Sequence, residues 1–403
     1  MAAKRPISLE KETKNWMVRI GNLVEESISK GIYELGAEAP ILAGVPEEKV
    51  WYQVPVPEGK CGDGSEYHIY IRKGTTDKLC VFFSGGGIAI NEYMAARPVN
   101  GGSVAAWVPN YYWNNLRLFT QVMNINVGIT KNGSENPFDE WNFIVITYAT
   151  GDMHIGRSEL TYHIVEGSED GSQKAGDEAV LYFHGYENFM AAMRTGKKLF
   201  PAASKLLIAG ESAGAFAVPA LAEQIAGEFY PACSDVTLFS ASAQLLYKNW
   251  KHVLRDVWNA REEICSDVKG KNLALEWYRG VYKRQGNRFK YLYSGSTMDY
   301  LLSAFYNDMT NKVYDTDSQI QEDYYRQMQK MIAEMRDIGP EFSFFIHDWH
   351  RPLTMYKGGT IHTVVRQPEF TLRTQDEMTM AEWLSECVEG RPFDVGLHLM
   401  MKG

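Results

Sequence analysis

The stretch Leu206-Leu207-Ile208-Ala209-Gly210-Glu211-Ser212-Ala213-Gly214-Ala215 reads as a short apolar strand, a tight Gly-x-Ser-x-Gly turn and the start of a helix of small residues. Such a turn forces its central serine into a backbone conformation that side-chain-bearing residues rarely adopt. Only small neighbours let strand and helix approach that closely, and Gly210 and Gly214 supply the room. The hydroxyl of Ser212 then projects past the end of the strand. The helix N-terminus behind it offers partial positive charge to a developing oxyanion. The segment therefore marks Ser212 as a candidate nucleophile.

Working outward, further strands are expected at 67–72, 79–84, 142–148, 205–209, 235–241, 289–293 and 342–346. Several are continuous apolar runs, the pattern of parallel strands covered on both faces. Helical stretches fall between them, notably 186–199 and 213–225, with Pro219 expected to kink or interrupt the latter. Amphipathic helices are expected at 316–338 and 378–390. Another spans 9–35, where Trp16, Ile20, Leu23, Val24, Ile28 and Ile32 recur at helical spacing. Pro40, Pro46, Pro55 and Pro57 mark a connecting loop. Residues 244–285, rich in Lys, Arg, Trp and Tyr, lack strand patterning and read as a helical insertion, either a lid or an outer layer. Strands alternating with helices imply an α/β fold, a doubly wound, mostly parallel sheet with helices on both faces. The expected division is an N-terminal helix and connecting loop over 1–58, packed on a catalytic body over 59–403.

The 403 residues are ample for a large core. The net charge of −9 and the lack of a sustained basic run argue against nucleic-acid binding. The five cysteines, Cys61, Cys80, Cys233, Cys265 and Cys387, are odd in number and widely spaced, with no Cys-x-x-Cys. A zinc site or disulfide framework is thus not expected, and buried free thiols in a reducing compartment are. The N-terminus lacks the apolar core of a signal peptide, and no apolar run approaches the length of a membrane span. The expectation is a cytoplasmic protein, secreted only if a leader has been removed. The sequence does not determine the oligomeric state.

A serine nucleophile needs a base, an orienting carboxylate and donors for the oxyanion. In α/β-hydrolases the chain order is Ser, then Asp or Glu, then His. Beyond Ser212, His252 lies in the charged insertion and His398 in the tail. His347 and His350 follow an apolar strand, and His362 follows the glycine-led turn Gly358-Gly359-Thr360-Ile361. A base held over a cleft suits His362 best, with His347 and His350 as alternatives. For the acid, Asp299 stands just past the strand at 289–293, in a place that also suits a helix cap, and Asp308 follows nine residues later. One oxyanion donor should be the backbone N–H of Ala213. The other should come from Ser84-Gly85-Gly86-Gly87, where an apolar strand opens into three glycines. The Gly-x-x-x-x-Gly-Lys-Ser/Thr pattern is absent there, which argues against a nucleotide cradle.

Together these pieces resemble the pectin acetylesterase/Notum family of serine hydrolases. The resemblance is carried by Phe83–Gly87, by Asn142–Gly156, by His184–Leu199 with Leu206–Ala215, by Ser294–Asp299 and by Gly358–Phe370 extending to Trp383. It spans roughly residues 60–395. It implies an α/β-hydrolase-like fold with Ser212 as nucleophile, Asp299 as acid and His362 as base, and with Gly86, Gly87 and Ala213 as oxyanion donors. No metal or cofactor is implied. The sequence departs from the plant and animal members at Ile88 and Ala89, where they place Trp and Cys, and from the family at Tyr300-Leu301-Leu302, where a glutamine is usual. It also departs at Glu211, where a small polar residue is common; a charge there is expected to alter pH dependence or disfavour anionic substrates. The expected activity is removal of an O-acyl group, O-acetyl foremost, from a carbohydrate or small alcohol ester. A lipase or deacylase acting on longer acyl chains, and a non-catalytic binding protein on a hydrolase fold, are the alternatives.

Overall fold

The computed structural model describes residues 38–99, 109–165, 174–350 and 357–401. The helix expected over 9–35 lies outside them. Besides one two-residue strand pair near the C-terminus, ten strands lie among the described residues: β1 (Trp51–Lys60), β2 (Glu66–Arg72), β3 (Leu79–Phe83), β4 (Asn142–Ile146), β5 (Ser158–His163), β6 (Glu178–Phe183), β7 (Leu206–Glu211), β8 (Val236–Ala241), β9 (Phe289–Ser296) and β10 (Phe342–His347). Eight form one sheet in the order β1-β2-β4-β3-β7-β8-β9-β10, and β5 pairs with β6 in a separate hairpin. The six strands from β4 to β10 run parallel; β1 and β2 join antiparallel at one edge.

The parallel strands are apolar on both faces because both faces are covered. On β3, Leu79, Val81 and Phe83 enter one core, with Phe189, Phe216, Trp277 and Met328 from the helices Gly185–Leu199, Ala213–Gln224, Leu273–Gln285 and Ser318–Ile338. Cys80 and Phe82 point the other way, into a second core with Trp383 and Leu384 of the helix Met380–Val388. The same alternation separates Ile208 from Leu207 on β7.

Two expectations need correcting. The proline-marked stretch expected as a loop contains β1, with Pro55 and Pro57 inside the strand. Proline is tolerated there because β1 is an edge strand, where a missing N–H breaks no interior ladder. The hairpin β5–β6 also has no counterpart in the expected strand set. Pro219, by contrast, sits inside Ala213–Gln224 without ending it, and a π-helical turn, Ile225–Phe229, follows. The proline deprives the carbonyl four residues earlier of its helical donor. That carbonyl, of Ala215, accepts instead from Ser240 Oγ on β8 at 2.7 Å.

Within 244–285, Trp250, Trp258, Trp277 and Tyr278 are fully buried in the main core.

Candidate active site

The sheet order places the site. From β3 the chain moves one way to β4; from β7 it moves the other way to β8, β9 and β10. The carboxyl ends of β3 and β7 therefore lie side by side while their following loops diverge, and ligands of open α/β sheets bind in the crevice this creates. β3 opens into Ser84–Gly87, and β7 ends at Glu211 and opens into Ser212.

Ser212 has φ 51° and ψ −126° and precedes the helix Ala213–Gln224. Its conformation is held by N–H donation to Ala241 O of β8 at 2.9 Å and by acceptance from Ala215 N–H at 3.0 Å. A Cβ on Gly214 would stand 2.2 Å from Phe83 O, and one on Gly210 would stand 2.4 Å from Gly214 O. Both glycines are thus required by close backbone approach. Gly85 is equally constrained, since its Cβ would lie 2.6 Å from both Glu211 O and Ser212 Cβ.

Two further elements complete the site. Asp299, wholly buried, follows β9 and caps the helix Tyr300–Asn311; its Oδ1 accepts from Leu301 N–H at 3.0 Å and Leu302 N–H at 2.9 Å. Its Oδ2 lies 2.7 Å from His362 Nδ1. The helix-cap and triad readings of Asp299 are therefore compatible, one oxygen for each. The loop bearing His362 is docked here through the backbone. Thr360 N–H donates to Met298 O at 2.9 Å, and Tyr300 N–H donates to Thr360 O at 3.2 Å. His362 Nε2 has no hydrogen-bond partner among the described residues. His362 and Ser212 line the same cavity, of about 510 Å³, together with Gly86 and Gly87.

The alternative residues go elsewhere. His347 is buried against Trp349, with ring centroids 4.6 Å apart, and burial pushes its pKa down to about 3. His350 Nδ1 lies 3.1 Å from Gly359 O. His252 pairs with Asp256 on the surface, and His398 lies 3.6 Å from Asp376. Asp308 accepts from the Tyr111 hydroxyl at 2.6 Å.

Charge in the site follows from these contacts. Burial pulls the His362 imidazole down, but the Asp299 charge, the hydrogen bond to it and the Glu211 charge outweigh that and raise its pKa above the ordinary value. Glu211 is also buried. Desolvation opposes its charge, yet Arg366, the Thr363 hydroxyl and His362 hold its carboxyl below the usual range. His154, whose Nε2 lies 2.9 Å from Ser84 O, is pushed down to about 4 by burial; it therefore stays neutral and donates to that carbonyl at the root of the glycine loop.

Among the described residues, no internal hydrogen bond uses the N–H groups of Gly86, Gly87 or Ala213. The Gly85 N–H is taken by Glu211 Oε1 at 3.3 Å. Sequence reasoning missed the partners of Glu211, namely Thr363 and Arg366, and the aromatic wall of the cavity from Tyr111, Trp113, Tyr300, Phe305 and Tyr314. A signal for the first was present: a carboxylate at the end of an apolar strand must find a buried cation or donor. None of the cavity's lining residues comes from 244–285. Among the described residues, no group of three or more His, Cys, Asp or Glu is placed to hold a metal ion.

The model of the pectinacetylesterase family matches residues 54–253, a span that includes the glycine loop and Ser212 and ends before Asp299 and His362. Among solved structures, the chain is similar in fold to the Wnt deacylase Notum from Drosophila, with a TM-score of 0.54 at 15% sequence identity, covering 84% of this chain and 92% of that one. No curated protein matches the chain by sequence.

Proposed function

Over residues 54–253 the chain belongs to the pectinacetylesterase family, and from that premise we propose that it is a serine esterase that removes an O-acetyl group from a carbohydrate or other small alcohol. The observation that carries this reading is the 2.7 Å contact of Asp299 with His362 Nδ1, which leaves an unpartnered Nε2 in the cavity that Ser212 lines. Asp299 accepts the Nδ1 proton, so Nε2 is the basic nitrogen. In this reading Nε2 takes the Ser212 proton as Oγ attacks the ester carbonyl. The tetrahedral oxyanion is received by the N–H groups of Gly86, Gly87 and Ala213. The neighbouring N–H of Gly85 is taken by Glu211 Oε1 and stands outside this set of donors. Collapse transfers the proton from His362 to the departing alcohol and leaves an acyl-serine, which water attacks with the same base.

Ser212→Ala should abolish hydrolysis of p-nitrophenyl acetate and labelling by a fluorophosphonate while leaving the circular-dichroism spectrum and melting temperature unchanged. Wild-type rates in that variant would overturn the assignment.

A second reading, hydrolysis of longer acyl esters, is favoured by one observation. The cavity is walled by Tyr111, Phe305, Leu301 and Val127, and Val122 and Met123, both exposed, line it too. Rates across p-nitrophenyl acetate, butyrate and octanoate separate the two: a fall with chain length supports the acetylesterase, and a rise supports the longer-chain enzyme.

The five cysteines are all buried and unpaired, which supports a protein kept in a reducing compartment such as the cytoplasm. Among the described residues no helix is long and apolar enough to cross a membrane. In the same reading, 244–285 serves as a supporting outer layer and the substrate is a small-molecule or carbohydrate ester.

A further inference from the structure

A carboxylate beside the nucleophile is costly to bury, and every oxygen of Glu211 is matched. Oε1 accepts from the Arg366 guanidinium and from Gly85 N–H, and Oε2 accepts from the Thr363 hydroxyl at 2.9 Å. These partners belong to different parts of the site. Gly85 opens the glycine loop, Thr363 directly follows His362, and Arg366 lies one turn further along. Arg366 is itself anchored, donating to Asn124 Oδ1 at 2.9 Å and lying 5.5 Å from the ring centre of Phe82 on β3. One carboxylate thus ties the elbow, the glycine loop and the histidine loop together. Replacing such a pair by packed apolar side chains is often neutral or stabilising, so stability alone gives no reason for an ion pair here.

We propose that Glu211 and Arg366 are positioning residues of the esterase: the pair holds the histidine and glycine loops against Ser212, and its charge balance sets the pH range in which His362 is a free base. This rests on the reading of Ser212, His362 and Asp299 as the reacting groups. The charged groups facing His362 are Asp299 from the end of β9, Glu211 from the end of β7 and, through Glu211, Arg366 of its own loop. The hydroxyls of Tyr293 on β9 and Tyr324 on Ser318–Ile338 face Asp299, and burial keeps both neutral.

The sign follows directly. The base must be neutral, so activity rises with pH through the His362 titration. Glu211→Gln removes a negative charge that stabilises the imidazolium and leaves Arg366 unmatched, so the acid limb of kcat/KM should move to lower pH. Adding Arg366→Met restores neutrality, so the double variant's limb should move back up from that of Glu211→Gln. Plateau kcat should fall roughly 10- to 100-fold in both through loop misplacement. Histidine Cε1 titrations by NMR, in Ser212→Ala protein with and without Glu211→Gln, read the same ordering without needing a substrate. Failure of the esterase reading therefore shows as absent serine-dependent turnover, whereas failure of this proposal shows in the titration. A limb that stays or rises in Glu211→Gln, or a double variant that stays with the single, overturns the proposal. If Glu211→Gln does not fold, Thr363→Val retains both charges and removes one tie. Its kcat should drop with KM and acid limb unchanged; an unaltered kcat overturns the positioning role.

Discussion

The two halves of this site are built in different ways. On the side of β3 and β7, position is set by backbone: Gly210 lets β7 approach the helix behind Ser212, Gly214 lets that helix approach β3, and Gly85 lets the glycine loop pass Ser212. On the side of β9 and the histidine loop, the backbone pairing of Thr360 with Met298 and Tyr300 is joined by side-chain ties: Asp299 spans a helix cap and an imidazole, and Glu211 spans Gly85, Thr363 and Arg366. The backbone half has almost no freedom to tune, because a single methyl group collides with main chain. The side-chain half can change its charge while keeping its shape. The difference predicts which substitutions break folding and which break chemistry alone.

The largest effect short of removing Ser212 should come from Asp299→Asn. An asparagine oxygen still accepts from the N–H groups of Leu301 and Leu302 and is as good a helix cap as aspartate. Its amide, however, offers hydrogens to His362 Nδ1, which favours the tautomer with the proton on Nε2, where the base is needed. We expect kcat to fall roughly 10³- to 10⁴-fold with a stability change of about 1 kcal/mol or less. Stopped-flow ester hydrolysis and denaturant melts measure the two. Near-normal turnover in a well-folded variant would remove Asp299 from the chemistry and leave it as a cap only.

Gly214→Ala should act in the opposite balance. The added methyl would meet the carbonyl of Phe83, the last residue of β3 before the glycine loop. Main chain cannot swing aside as a side chain can, so overpacking of about 1–3 kcal/mol is expected, with activity down roughly 10²-fold through displacement of the N–H groups proposed to receive the oxyanion. A variant with wild-type stability would mean that the helix Ala213–Gln224 is less tightly opposed to β3 than the 2.2 Å contact of an added Cβ implies.

This division also explains what the sequence disclosed. Backbone-determined features were legible because their signals are local. The Gly-x-Ser-x-Gly turn and the triple glycine each announce a close approach within a few residues, and the apolar runs of β3, β4, β7, β8 and β10 announce strands covered on both faces. Asp299 and His362, which the structure pairs at 2.7 Å, stand near strand or turn ends, and the chain order and a family resemblance favour them over His347, His350 and Asp308. The Glu211–Arg366 tie was legible only in part: a carboxylate ending an apolar strand calls for a partner, but Arg366 lies 155 residues away and no pattern points to it. β1 was misread because its prolines signal a break in an interior strand but not at a sheet edge. The aromatic wall was missed because Tyr111, Tyr300 and Tyr314 reach the cavity from separate segments and no short spacing unites them.

The smallest effect tests a place where the two kinds of construction meet. Pro219 frees the carbonyl of Ala215 in the first turn behind Ser212, and a side chain, Ser240 Oγ, supplies the missing donor from β8. Ser240 also contacts the hydroxyl of Tyr278 at 2.7 Å. Ser240→Ala would leave a buried carbonyl without that donor, so a loss of about 1–3 kcal/mol is expected, seen as a lower denaturation midpoint. The strand hydrogen bonds and the glycine contacts that fix the elbow remain, so kcat should change less than in Gly214→Ala. A kcat loss as large as that of Gly214→Ala would show that the elbow depends on this side-chain prop, and the backbone half would no longer stand by backbone alone.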